Sequence, residues 1–236
     1  MIVTKFIHGF LCGIAFLLNL LRNNCFMKIM LTGFFVLAAI SLCCFTVFII
    51  PSAVSPDVLK EGEHFRPGNT SSIKLYAVKL KPYLRQHSYN EQFCFLIDMK
   101  IAPGKNRFFV YDFKKDAVVT RGLVTHGGGS ITPTEVLSFS NTANSNATSI
   151  GRYKIGNEYS GKFGVAFKLY GLDKTNSNAY NRYVVLHSHS CVPAQEVYPS
   201  PICTSLGCPT VAPSFFLQLE MYIRQSDKPI LLWIYY

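Results

Sequence analysis

Acidic residues are scarce in this chain, and the first fifty residues contain none. The sequence has 13 Asp and Glu residues but 23 Lys and Arg residues, a formal net charge of +10. Only three of the basic residues precede residue 51, so the remainder holds 20 basic and 13 acidic residues, a net charge of +7. Such a charge suits an anionic partner, whether a wall polymer or lipid headgroups. The sequence lacks a basic stripe interleaved with aromatics, which argues against nucleic acid.

Charge is missing altogether from Leu31 to Ile50. An apolar segment of this length can cross the hydrocarbon core of a bilayer as a helix. Arg22 and Lys28 precede it, and basic residues favour the cytoplasmic side, so the chain after Ile50 is expected outside the cytoplasmic membrane. We therefore predict that residues 1–50 are a membrane anchor or an export signal. A start at Met27 would make Lys28 the positive end of such a signal.

Internal repeats with a period of 20 to 50 residues are also absent, which excludes repeat architectures. Residues 51–70 are rich in Pro, Ser, Gly and charge and are predicted to form a linker. Residues 71–236 are predicted to form one domain. Helical spacing of apolar residues predicts helices at 72–85 and 213–225. Short β-rich segments separated by turn residues are typical of an antiparallel, mostly-β domain; they lie at 92–101, 106–113, 117–126, 152–156, 164–172, 182–189 and 230–236.

Four of the eight cysteines lie beyond residue 50, at Cys94, Cys191, Cys203 and Cys208. Disulfides are permitted in an external compartment. Cys208 directly follows Gly207, where the backbone can turn without Cβ strain and aim its amides at one point. Amides arranged in this way form an oxyanion hole, so Cys208 is a candidate nucleophile. The alternative is that this cysteine is simply a small buried apolar residue.

A nucleophilic thiol needs a base, and two histidines precede Cys208 at a predicted strand end. His187 and His189 alternate with Ser188, so both rings lie on one face of the strand. The residues alone do not choose between them. Both histidines and Cys191 could instead be zinc ligands, but a fourth ligand at suitable spacing is missing.

Other chemistry-bearing patterns lack an essential part. The segment 156–162 resembles a phosphate-binding loop, but Phe163 stands where Ser or Thr should hold magnesium. The segment 126–129 resembles the oxyanion loop of lipases, but the Gly-x-Ser-x-Gly turn that should accompany it is absent. The cysteine and histidines therefore remain the candidate site.

The order His187-Ser188, then Ser205-Leu206-Gly207-Cys208, resembles the motif of the L,D-transpeptidases, enzymes that cross-link peptidoglycan through a cysteine. Pro209 and small residues after the cysteine resemble a divergent subgroup. Many other members have His before the Gly-Cys step and Arg after it, whereas this chain has Leu206 and no such Arg. Further similar segments are His126–Ser130, Phe139–Asn141, Ser149–Tyr153, Tyr159–Gly164, Gly171–Leu172 and Arg182–His187.

This resemblance implies a mostly-β, L,D-transpeptidase-like β-sandwich with a few flanking helices behind the N-terminal transmembrane or signal segment. It implies that Cys208 attacks the carbonyl of a diamino acid in a wall tetrapeptide, that D-alanine leaves, and that an amine of a second stem resolves the thioester. No cofactor and no metal are expected. Expected partners are peptidoglycan stem peptides and, through the N-terminal segment, the inner membrane. The expected location is the cell envelope, with the domain in the periplasm.

Residue roles follow from the resemblance by position. His187 matches the base, held by Ser188, and the amides of Leu206, Gly207 and Cys208 match the oxyanion hole. Substrate-binding positions are Ser205, His189, His126 and Arg182. The stretch between His187 and Cys208 is a few residues longer than usual, and a Cys191–Cys203 disulfide is expected to pin this extra loop. Two alternatives stay open: an L,D-carboxypeptidase with water as acceptor, and a wall-binding protein without catalysis.

Overall fold

The computed structural model describes residues 67–134 and 136–236, which contain two α-helices, a 3₁₀ helix at Gly128–Ser130 and eight strands. The predicted anchor at 1–50 and most of the predicted linker lie outside these residues. Helix α1 spans Pro67–Gln86 and helix α2 spans Pro213–Arg224. The strands are β1 (Phe93–Asp98), β2 (Phe108–Asp112), β3 (Ala117–Gly122), β4 (Gly151–Gly161), β5 (Gly164–Gly171), β6 (Val185–Ser188), β7 (Thr210–Val211) and β8 (Leu231–Tyr235).

Both predicted helices are present, and each buries one apolar stripe. In α1 the stripe consists of Ile73, Ala77, Leu80 and Leu84, which are at most 1% exposed and recur at helical spacing. The α1 helix begins at Pro67, inside the segment predicted as linker. Among the described residues, neither helix is long and apolar enough to span a bilayer.

The eight strands form one continuous sheet in the order β3-β2-β1-β8-β4-β5-β6-β7. The mostly-β prediction is confirmed. The antiparallel prediction holds for five of the seven neighbouring pairs, because β1·β8 and β6·β7 are parallel. Strand β8, which ends the chain, lies between β1 and β4 and joins the two halves. Hydrophobic periodicity reports the faces of a strand but not its neighbours, so it could not predict this insertion.

Alternation along β5 and β6 determines which side chains face the candidate site. Phe167 and Leu186 are paired across the two strands and belong to the larger hydrophobic core, which also contains residues of α2. The neighbouring positions point to the opposite face, because successive side chains of a strand alternate. His187 lies there, paired with Ala166 on β5 and with Thr210 on β7.

Candidate active site

Cys208 follows a tight turn that glycine makes possible. Gly207 has φ +113°, a conformation that side-chain-bearing residues rarely adopt, and a Cβ there would lie 2.8 Å from the carbonyl oxygen of Ala147. The Ser205 hydroxyl closes the turn: it accepts from the Gly207 amide at 3.1 Å and donates to the Cys208 carbonyl at 2.6 Å. The Ser205 amide also donates to the carbonyl of His126 at 3.0 Å, which fixes the turn to the neighbouring loop.

The backbone amides of this turn differ in their availability. The Gly207 amide is engaged by Ser205, whereas the amides of Leu206 and Cys208 donate to no acceptor among the described residues. Two of the three amides expected in an oxyanion hole are therefore free to bind a developing negative charge. The Leu206 side chain is 77% exposed, so the position where many family members carry histidine faces solvent here.

The hydrogen bonds of His187 assign its tautomer. Its Nδ1 lies 3.1 Å from the backbone carbonyl oxygen of Ser188, which can only accept, so Nδ1 carries the hydrogen. Nε2 is then the basic nitrogen, and it accepts from the Thr210 hydroxyl at 3.0 Å. Ser188 thus holds His187 through its main chain. Sequence reasoning did not single out Thr210; the only signal was its place in the Pro-Thr-Val run after the cysteine.

Cys208 and His187 line one cavity of about 420 Å³. The predicted residues Ser205, His189 and Leu206 also line it, whereas Gly207, Ser188, His126 and Arg182 do not. The Cys208 Sγ lies 3.7 Å from the carbonyl oxygen of Tyr183. Both ring nitrogens of His187 are hydrogen-bonded to other groups, Nδ1 to the Ser188 carbonyl and Nε2 to the Thr210 hydroxyl. The Thr210 hydroxyl thus occupies the lone pair of Nε2 in the substrate-free protein.

Burial favours the uncharged forms of both Cys208 and His187 in the substrate-free protein. Burial raises the pKa of the Cys208 thiol, and a backbone hydrogen bond with Val185 and the positive charge of Arg182 only partly oppose this. Burial lowers the pKa of His187; the contact with the Ser188 backbone opposes this shift, and His189 adds to it. Removing a charged form from water disfavours it, so both groups rest uncharged near neutral pH.

Arg182 holds the loop beside the cysteine. Its guanidinium donates at 2.7 to 3.2 Å to the carbonyls of Ser140 and Ala147 and to the hydroxyls of Ser145 and Ser149. The Ala147 carbonyl is also the group that leaves no room for a side chain at Gly207. The geometry thus gives Arg182 a positioning contact and a positive charge near Cys208; its predicted contact with substrate stays a prediction.

His126 is buried and does not line the cavity of Cys208. It is 5% exposed, its Nδ1 accepts from the Arg107 guanidinium at 3.1 Å, and its Nε2 has no hydrogen-bond partner within the described part of the chain. Burial, reinforced by the charge of Arg107, lowers the pKa of His126 to about 4. This imidazole is therefore neutral near pH 7, and its predicted contact with substrate stays a prediction.

An aromatic residue covers the two histidines of the cavity. Phe163, at the tip of the β4–β5 hairpin, stacks on His187 at 5.2 Å between ring centroids and meets His189 edge to face at 5.1 Å. The ring is 49% exposed. Sequence reasoning noted this residue only as a mismatch in a phosphate-loop pattern, because its contacts to the histidines depend on how the strands pair.

The predicted disulfide between Cys191 and Cys203 is confirmed, with a Cα–Cα distance of 6.0 Å. The Cys191 amide also donates to Nδ1 of His189 at 3.0 Å, which ties the start of the loop to the candidate site. Cys191 lines the cavity of Cys208. Since its sulfur is in a disulfide, Cys191 supplies no thiolate for the zinc interpretation. Cys94 and Cys208 are the free cysteines of the described part.

A cysteine on a glycine turn, with two free amides and an imidazole in the same cavity, is an arrangement that thiol-dependent acyl transfer can use. Residues 68–235 match the L,D-transpeptidase catalytic domain family. The chain belongs to this family. None of the curated proteins matches it.

Solved structures of L,D-transpeptidases and of one cell shape determining protein resemble the chain distantly. An L,D-transpeptidase from Mycobacterium smegmatis is 13% identical with a TM-score of 0.36, over 61% of this chain and 59% of that one. A variant of the Enterococcus faecium L,D-transpeptidase is 13% identical with a TM-score of 0.37, over 61% and 50%. The helical cell shape determining protein Pgp2 from Campylobacter jejuni is 11% identical with a TM-score of 0.39, over 60% and 46%. The chain thus spans about half to three-fifths of the length of these proteins.

Proposed function

We propose that the protein is a peptidoglycan L,D-transpeptidase that forms a thioester between Cys208 and a stem tetrapeptide. The observation that carries this proposal is the Gly207 turn, which leaves the Leu206 and Cys208 amides free beside a half-buried thiol. Free amides at this place can stabilise the oxyanion that forms when a thiolate adds to a carbonyl. The family membership supports peptidoglycan as the substrate.

The chemistry proceeds in two acyl transfers. In the first, His187 Nε2 takes the thiol proton as Sγ bonds to the scissile carbonyl carbon, and the C–N bond to D-alanine breaks as the same proton passes to the leaving amine. In the second, an amine of another stem peptide attacks the thioester, its proton passes to His187, and the C–S bond breaks with return of the proton to sulfur. Nδ1 of His187 donates to the Ser188 carbonyl in both transfers, so Nε2 is the nitrogen that takes up and returns the proton.

Intact-mass measurement tests the proposal directly. After incubation with a purified tetrapeptide, the parent protein should gain the mass of the peptide less D-alanine, and Cys208→Ala should not. Cys94→Ala is the matched control, because Cys94 is fully buried and its thiol pKa is raised by burial. A Cys208→Ala protein that still forms cross-linked products would refute the proposal.

The products distinguish the transpeptidase from the carboxypeptidase alternative. Transfer to an amine gives cross-linked dimers, whereas transfer to water gives tripeptides. A third outcome, in which the protein binds tetrapeptide but never acquires acyl mass, identifies a wall-binding protein. Comparing the same preparation against one purified muropeptide separates the three outcomes.

We also propose that residues 1–50 anchor the chain in the cytoplasmic membrane with the domain outside. The support is the uncharged segment Leu31–Ile50 preceded by basic residues. The expected result is that the full chain sediments with membranes and that protease added outside the cytoplasmic membrane digests the domain. Recovery of the domain as a protease-protected species would contradict this arrangement.

A further inference from the structure

A second cavity of about 380 Å³ adjoins the candidate active site. Three tyrosines, one lysine and two valines line it: Tyr159, Lys168, Tyr180, Tyr183, Val184 and Val185. Tyr183 connects the two regions, because it lines this cavity while its carbonyl oxygen lies 3.7 Å from the Cys208 Sγ. We call this the tyrosine cavity. A molecule bound there contacts the residue whose carbonyl oxygen lies beside the thiol.

The backbone of the tyrosine cavity is strained at Tyr183, which carries an exposed aromatic side chain. Tyr183 has φ +55° and is 84% exposed, an unfavourable conformation for a non-glycine residue combined with a large exposed ring. Such backbone conformations concentrate at ligand-binding sites. Tyr180 is 50% exposed, and its other face stacks on Tyr170 at 5.2 Å between centroids and 13° between planes. The Tyr180 ring is thus fixed in place with area left for a ligand.

Lys168 gives the cavity its polarity. Its Nζ lies 5.8 Å from the ring centroid of Tyr159 and 5.6 Å from that of Tyr180, within the range of cation–π contact. Lys168 pairs with Val185 and lies two positions from Ala166, the partner of His187, so lysine and histidine share one face of the sheet. No carboxylate within the described residues forms an ion pair with Lys168. Its ammonium is available to donate to oxygen atoms of a ligand.

This combination selects the chemistry of the ligand. A cationic group is disfavoured, because Lys168 already holds the positive position over two ring faces. A bare anion is attracted by Lys168 but repelled by the negative faces of the rings. A sugar ring satisfies both parts: its C–H faces carry partial positive charge towards the tyrosines, and its hydroxyl and amide oxygens accept from the ammonium.

We propose that the tyrosine cavity binds a pyranose ring of the glycan strand to which the stem peptide is attached. This inference rests on the proposed function, since it assigns the glycan to the same substrate. In a tetrapeptide whose last residue leaves, three residues separate the sugar from the scissile carbonyl, a span of at most about 11 Å when extended. Tyr183 lines the cavity and its carbonyl oxygen lies 3.7 Å from the Cys208 Sγ, so the placement agrees with this reach.

Binding to the full chain carrying Cys208→Ala tests the inference without turnover. Isothermal titration compares a disaccharide tetrapeptide with the same tetrapeptide freed of sugars. We expect the sugars to tighten Kd by about tenfold. Tyr183→Leu, which removes the ring face but keeps bulk, should abolish this gain, and Tyr183→Phe should retain it. Lys168→Gln should reduce the gain. Tyr198→Leu is the matched control. Tyr198 is likewise an exposed tyrosine, at 56%, and its ring contacts Lys105 outside this cavity.

Each outcome has a distinct meaning. Equal Kd values for the two ligands overturn the inference, and so does a gain in affinity from the sugars that is undiminished in Tyr183→Leu. If Cys208 of the parent protein still acquires acyl mass in that case, the proposed function stands without the glycan site. If the sugars tighten binding through Tyr183 but Cys208 is never acylated, the glycan site is supported and the transpeptidase function is refuted. Thermal unfolding of each variant shows whether a lost gain reflects misfolding, and the Tyr183→Phe and Lys168→Gln results remain decisive in that case.

Discussion

Acidification should destabilise the protein through His126, whose imidazole is buried and neutral in the folded state. Burial and the neighbouring Arg107 lower its pKa from 6.5 to about 4. Between these values the unfolded chain binds a proton that the folded chain does not, so stability is present above pH 6.5 and is lost as the pH falls towards 4. At 1.36 kcal/mol per pKa unit, the difference amounts to about 3 kcal/mol.

Urea unfolding at pH 7, 6, 5 and 4 measures this loss, with His126→Gln as the reference. Glutamine does not titrate, and its amide oxygen can accept from Arg107 as Nδ1 does. The free energy of unfolding of the parent should fall by about 3 kcal/mol more than that of the variant. His187, whose pKa is also lowered by burial, contributes a loss of the same sign to both proteins and cancels in the difference. Parallel pH profiles for the two proteins would refute the reasoning.

Three further predictions concern the site. Because burial raises the pKa of Cys208 and both nitrogens of His187 are bonded elsewhere, alkylation of the substrate-free thiol should increase steadily with pH up to pH 8; a plateau near pH 6 would instead indicate a thiolate–imidazolium pair. Gly207→Ala should lose roughly 1–3 kcal/mol of unfolding free energy and acyl transfer, and an unchanged Tm with full activity would contradict the turn. The double variant Cys191→Ser, Cys203→Ser should lose about 3 kcal/mol on calorimetry, and an unaltered melting curve would mean that the disulfide does not constrain the unfolded chain.

The local parts of the fold could be predicted from the sequence, whereas the joining of distant segments could not. Apolar residues at helical spacing identified both helices, and β-rich segments between turn residues identified seven of the strands. The two-residue strand β7 was not predicted, because it is too short to show alternation. The parallel contact of β8 with β1 joins residues more than 130 positions apart, and a single sequence contains no local signal for such pairing.

The candidate site follows the same division. Cys208 and Gly207 are adjacent in the chain, so their chemistry could be inferred from the sequence. The partner of His187 Nε2, Thr210, becomes visible only when β6 and β7 lie side by side. Phe163 likewise reaches the histidines because the β4–β5 hairpin ends beside β6. Tyr183 was part of a family-like segment, but its left-handed backbone and exposed ring are properties of the folded chain.

The neutral resting state of the site accounts for a free thiol and a disulfide in one cavity. Cys208 and Cys191 both line it, and a thiolate is the species that attacks a disulfide sulfur. Burial raises the pKa of Cys208, and the Thr210 hydroxyl occupies the nitrogen that would otherwise take its proton. The thiolate fraction of Cys208 is therefore low near neutral pH in the substrate-free protein, and thiol–disulfide exchange with Cys191 is slow for the same reason. Burial of the Cys208 thiol thus also preserves the loop disulfide.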